Sequence, residues 1–160
     1  MGQLKIVKEA RKLVGVAQWK WGASLQDAPR FFDCSSLIQW LYKQKGEKVP
    51  RRAKEQMEML NPCYPVTKAR TGDLLFCTSP YVRGVKTEKH EGLHVSLVVS
   101  RNNVVCATNS ELGRGIVEIS IDQLLGTRKF VSLGVLVPGW HEGWYDNEGN
   151  WFPSVRRYDP

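Results

Sequence analysis

Apolar residues recur at helical spacing where the chain begins. Leu4, Val7, Ala10 and Val14, with Leu13 beside them, fall along one stripe of a helix predicted over residues 4–16, and lysines and arginines are spread through the same segment. A turn-rich stretch follows, WKWGASLQDAPRFF. The helical period returns from Cys34 to about Gly46, where Leu37, Ile38, Trp40 and Leu41 supply the apolar face. Asp33 is a natural N-cap for that helix, and Gly46 is placed to stop it. Pro50 opens a third, shorter helix, predicted over residues 52–60.

After Pro65 the period changes. DLLFC (73–77), LHVSLVV (93–99), NVVCAT (103–108), GIVEI (115–119) and FVSLGVLV (130–137) read as short strands, rich in β-branched and aromatic residues. Helices followed by adjacent strands with short, turn-rich links predict an α+β domain built on an antiparallel sheet. The segment SPYVRGVKTEKHEG (79–92) is long, polar and basic, and is expected as a surface loop beside the strand at 93–99. Residues 139–160 show neither period and hold three of the six tryptophans, two tyrosines and a phenylalanine. They are expected to pack as an aromatic tail on a single domain formed by residues 1–138, because so much aromatic surface is costly to leave in water.

Composition narrows the class. A chain of 160 residues with 42% hydrophobic and 24% charged residues is that of one globular domain. No apolar run approaches the roughly eighteen residues of a membrane-spanning helix. The N-terminus lacks the uninterrupted apolar stretch of a signal peptide, so synthesis in the cytoplasm is expected. The net charge of +7 favours an anionic partner. No zinc-finger, RNP-like or helix-turn-helix signature is present, so nucleic acid is not expected. The four cysteines form no C-x-x-C pair, which leaves zinc ribbons unsupported; free thiols are expected, with no metal and no cofactor.

One of those cysteines has a reactive address. Cys34 stands where a loop meets a helix, and the helix dipole and its free N–H groups favour a thiolate there. The same N–H groups can stabilise the oxyanion formed when a thiolate attacks an amide carbonyl. Cysteine is also a common small buried hydrophobe, so position alone does not assign it. A base is needed. Alternation along LHVSLVV places His94, Ser96 and Val98 on one strand face, the less apolar one, where His94 is expected to meet a helix packed over the sheet. His90 lies in the charged loop and His141 in the tail.

The blocks WGAS (21–24), FDCSSL (32–37), Pro50-Arg51 with Gln56 after it, GDLLF (72–76) and HVSLVV (94–99) follow one another in order. In this the chain resembles the NlpC/P60 family of papain-like cysteine peptidases, over about residues 4–137. The resemblance implies a papain-like fold, with the nucleophile heading a helix packed on the sheet. It also implies hydrolysis of an amide in bacterial cell-wall (peptidoglycan) stem peptides, typically between D-glutamate and a diamino acid, through an acyl-enzyme on Cys34 with His94 as base. The anionic cell wall is then the expected partner, reached by an export or delivery route that the sequence does not identify, and a monomer is expected. Asp33, Ser35 and Ser36 beside the nucleophile, with Trp19 and Thr108, are the expected substrate contacts.

Three positions depart from the family pattern. Its third catalytic residue, usually a histidine in an H-A pair on the following strand, is matched here by Cys106-Ala107, and a thiol is a weak partner for an imidazole. Thr108 shares that strand face; Asn109 reaches it only through a bulge. Trp19 stands where a tyrosine is frequent, and Ser36 replaces a glycine. These departures keep open a catalytically weak wall-binding module, a papain-like acyltransferase, and a regulatory Cys34–Cys106 disulfide.

Overall fold

In the structure, a computed structural model, residues 2–63, 65–136, 143–145 and 151–153 are described. Helix α1 (Gly2–Leu13) buries Ile6, Val7, Ala10 and Leu13. It stops short of residue 16, because Gly15 turns to a φ of 74° and donates its N–H to the Ile116 carbonyl at 3.1 Å. Leu4, expected on the buried stripe, is 56% exposed, and Ile6 takes the core position.

The turn-rich stretch contains two strands that its sequence does not announce. β1 (Gln18–Trp19) and β2 (Phe31–Phe32) pair in parallel. The loop between them is tied by Asp27, whose carboxylate accepts from the Ser24 N–H at 2.8 Å and from the Lys20 ammonium at 3.2 Å. This pair delivers the chain to α2 (Cys34–Gln44), which begins with a complete capping box. Asp33 Oδ1 accepts the Ser36 N–H at 2.9 Å, and Ser36 Oγ accepts the Asp33 N–H at 2.9 Å. Gly46, at φ 82°, and Glu47 close the other end by donating to the carbonyls of Lys43 and Tyr42. Leu37, Ile38 and Leu41 are fully buried, each contributing about 1.5–3 kcal/mol.

Helix α3 (Ala53–Glu58) is shorter than predicted, since the chain from Leu60 enters strand β3 (Leu60–Cys63). Pro62 lies within β3, which is tolerable because β3 is an edge strand. Gln56 of α3 donates to the carbonyls of Ser35 (2.9 Å) and Pro50 (2.8 Å), locking α3 to the start of α2. After a short 3-10 turn (Val66–Lys68) come β4 (Leu74–Ser79), β5 (Tyr81–Val82), β6 (Val85–Lys86), β7 (Gly92–Val98), β8 (Asn103–Ser110), β9 (Gly113–Ser120), α4 (Ile121–Thr127) and β10 (Phe130–Leu136). The central sheet runs β3-β10-β4-β7-β8-β9 and its pairs are antiparallel. This is the α+β architecture expected from the sequence.

Each face of the sheet has its own core. Val95, Leu97, Val105 and Ala107 face α1 and α2. Leu75, Cys77, Val98, Val104, Cys106 and Leu133 face the other way, with Ile121 and Leu124 of α4. Helix α4 was not predicted; Ser120 caps it by accepting the Gln123 N–H at 2.9 Å. The 79–92 segment is no plain loop either. β5 and β6 form a hairpin whose turn residues Arg83 and Gly84 both have positive φ, 53° and 79°. Of the aromatic tail, β11 (Gly143–Tyr145) and β12 (Trp151–Pro153) form an antiparallel pair where no strand was expected. The packing expected for the rest of residues 139–160 lies outside the described residues.

Candidate active site

Cys34 is the first residue of α2, and the residues around it are held by one network. Asp33 Oδ2 accepts from the Arg51 guanidinium and from the Gly22 N–H (3.1 Å). The distance to Arg51 is 2.6 Å. Arg51 also donates to Ser35 Oγ at 2.8 Å and to the Ala23 carbonyl at 2.7 Å. One arginine therefore fixes the cap, the residue after the nucleophile and the turn before it. The Val95 and Ser35 N–H groups point at the Cys34 sulfur. Burial and the neighbouring Asp33 carboxylate nevertheless raise the thiol to about 11. The expected thiolate is thus not the resting form. Desolvation, with an anion in the adjacent cap, outweighs the helix terminus.

His94 lies on the sheet face opposite α2, alternating with Val95, which packs against that helix. This differs from the sequence expectation that the helix carrying Cys34 would cover the His94 face; the second core lies there instead. The two faces communicate where β7 and β8 separate. Their ladder pairs Leu97 with Val105 and Val98 with Val104 and does not continue toward His94. Cys34 meets the Val95 N–H in that opening. His94 Nε2 is buried with no hydrogen-bond partner among the described residues. Burial first, and then the charge of Arg128, lower its imidazole to about 3, with Glu111 pulling weakly the other way. At rest, therefore, both the Cys34 thiol and the His94 imidazole are neutral.

Cys34, His94, Trp19, Asp33, Ser35 and Thr108 all line one cleft of about 600 Å³. Ser36 and Cys106 are not on its wall. Ser36 is engaged in the capping box, and the Cys106 thiol, raised to about 12 by burial, lies beside Ser96, whose Oγ has no hydrogen-bond partner among the described residues. Thr108 Oγ1 is 2.7 Å from Ser110 Oγ. Asn109 stays in unbulged register opposite Arg114, and its Oδ1 accepts from that arginine's Nε. None of the three candidates for a third catalytic residue holds the imidazole here.

Three contributors escaped the sequence reading. Arg51 lies in the Pro50-Arg51 block, whose local sequence does not reveal the contacts it makes. Arg128 and Glu111 pair at 3.2 Å, and the arginine side chain is 1% exposed. No local pattern announces that pair, because its members belong to different turns of the chain. Four arginines (51, 52, 83 and 128) and a single carboxylate, Asp33, line the cleft. Cys34, Cys77 and Cys106 are free thiols, and among the described residues no cluster of three or more His, Cys, Asp or Glu is arranged to hold a metal.

The NlpC/P60 family model matches residues 15–123. A bifunctional muramidase/DL-endopeptidase of Bacillus subtilis, CwlT, is 34% identical over 90 residues, covering 56% of this chain and 26% of that protein. The chain spans less than half the length of the curated relatives it matches. Among solved structures, the NlpC/P60 domain of the peptidoglycan hydrolase SagA superposes with a TM-score of 0.61 at 25% identity, over 82% of this chain and 97% of that one. NlpC2 of Trichomonas vaginalis superposes with a TM-score of 0.68 at 18% identity, over 84% of this chain and 46% of that one. A cysteine-headed helix on a six-stranded antiparallel sheet, ordered sequence blocks and a family match over most of the domain agree, and the chain belongs to the NlpC/P60 family.

Proposed function

We propose that this domain is a cysteine hydrolase that cleaves an amide bond in bacterial cell-wall stem peptides through a Cys34 acyl-enzyme. The observation that carries this reading is the meeting of Cys34 and His94 on one cleft in an NlpC/P60 domain. Because both groups rest neutral, the thiol proton passes to His94 as sulfur attacks the carbonyl carbon, and no ion pair precedes the attack. The oxyanion forms at the start of α2, whose first N–H groups have no intrahelical acceptor. Protonated His94 then gives its proton to the departing amine. Water, deprotonated by the same imidazole, releases the acyl group and restores the thiol. Arg83, the arginine of the cleft wall that pairs with no carboxylate among the described residues, favours a substrate with carboxylates, as a stem peptide has.

Incubating the protein with defined stem peptides and reading products by mass tests this directly. New termini should appear with the wild type and be absent with Cys34→Ala. A second reading, a wall-binding module without turnover, is favoured by one observation: His94 Nε2 has no partner among the described residues. On that reading no product forms, and wall binding is the same in Cys34→Ala as in the wild type.

A further inference from the structure

The pair Arg128–Glu111 is a buried connection whose path crosses the sheet at the level of His94. Phe130, which opens β10, pairs with Cys77 of β4, and Cys77 pairs with His94 of β7. Arg128 stands two residues before Phe130. The chain there is pinned to β4, since the Thr78 N–H donates to the Lys129 carbonyl (2.9 Å) and the Lys129 N–H to Thr78 Oγ1 (3.0 Å). Glu111 lies in the turn joining β8 to β9, at the same end of the sheet. In the strand order β10-β4-β7-β8, an ion pair from the start of β10 to the end of β8 has to pass over β4 and β7. At that level those strands carry Cys77 and His94. The Arg128 guanidinium comes close to the Cys77 thiol on its way, which puts it on the face that His94 shares.

The connection is tightly held. Arg128 Nε and Nη2 each donate to a different Glu111 oxygen at 3.2 Å, and Thr127 Oγ1 donates to the same carboxylate at 2.8 Å. Burying a guanidinium this deeply carries a desolvation cost that packing with apolar residues would avoid. We infer that Arg128, held by Glu111, is a positioning residue for His94, closing over the imidazole from the sheet face opposite α2 and fixing it where Cys106 does not. This rests on reading His94 as the base. An arginine cannot accept the imidazole proton, so its role differs from that of an orienting histidine or carboxylate. It confines the ring and, as a cation, opposes a charged ring, while Glu111 offsets part of that charge. The other titratable groups around this part of the sheet are Cys77 on β4, Cys106 on β8, and Cys34 at the start of α2 with Asp33 and Arg51 beside it.

The test is NMR titration of the imidazole in the full chain, with the His94 signals assigned by their loss in His94→Gln, alongside kcat and KM on a stem peptide. Arg128→Met should raise the His94 midpoint by about one pH unit or more. Arg128→Lys keeps the charge and loses the two-pronged grip. It should leave the midpoint in place, shift the ring resonances and lower kcat about tenfold at constant KM. Glu111→Gln, at a side chain 39% exposed, should lower kcat in the same way, and it carries the test should Arg128→Met fail to fold. Unchanged ring resonances and an unchanged midpoint in the folded variants would overturn the inference. Absence of any stem-peptide cleavage by the wild type would instead overturn the proposed reaction, and the titration would still decide the role of Arg128.

Discussion

Two influences oppose each other at Cys34. The start of α2 supplies N–H groups that favour a thiolate, whereas burial and the Asp33 carboxylate favour the thiol and prevail, at about 11. Labelling of the substrate-free protein by iodoacetamide should therefore be slow at pH 7 and should rise into the alkaline range. Asp33→Asn keeps an oxygen to cap Ser36 while removing the charge. It should shift the Cys34 labelling profile to lower pH; an unchanged profile would show that the carboxylate does not set the thiol. His94 contributes a pH dependence of stability. Its folded value, about 3, lies below the ordinary 6.5, so the unfolded chain takes up the proton first. Stability should be full above about pH 6.5 and fall as pH drops toward 3, by about 1.4 kcal/mol per unit. Glu111, where burial is outweighed by the Arg128 and Thr127 hydrogen bonds, is held at about 2 and acts in the same direction below pH 4.5. Urea unfolding from pH 7 to pH 4 should show this slope, flattened in His94→Gln.

Among the elements, α2 matters most because its cap serves both the fold and the site. Asp33→Ala removes the capping acceptor and leaves Arg51 without its carboxylate. The expected loss is about 2–4 kcal/mol in urea unfolding, with most activity lost as well. The elements that could be read in advance were those with a sustained period: α1, α2 and the strands rich in β-branched residues. Strands of two residues, such as β1, β2, β5 and β6, have no period to read. Helix α4 offered only seven residues and a serine cap directly after a strand. The site was legible to the extent that it lay in contiguous blocks, which covers Cys34, Asp33, Ser35 and His94. The Arg128–Glu111 pair was not, because it exists only once β10 and the β8–β9 turn meet. The sheet face of His94 was misjudged for a similar reason: alternation separates the faces without saying which one a helix covers.

For the molecule as a whole, charge and cleft belong together. The net charge of +7 becomes specific where arginines crowd the cleft wall. Arg83 sits at the tip of the β5–β6 hairpin with a φ of 53° and makes no hydrogen bond or ion pair among the described residues. Gly84 beside it rests against Trp21 on the opposite rim. Arg83→Glu should raise KM for stem peptides with free carboxylates several-fold and have little effect on their amidated forms; equal changes for both would place the charge outside recognition. Covalent chemistry at Cys34 is read out by the intact mass of protein quenched during turnover of a stem peptide. The acyl fragment should add to the mass of the wild type, map to the peptide containing Cys34 and be missing from Cys34→Ala. Cleavage that proceeds in Cys34→Ala, or a wild type that turns over substrate with the adduct on another residue, would rule out the Cys34 acyl-enzyme.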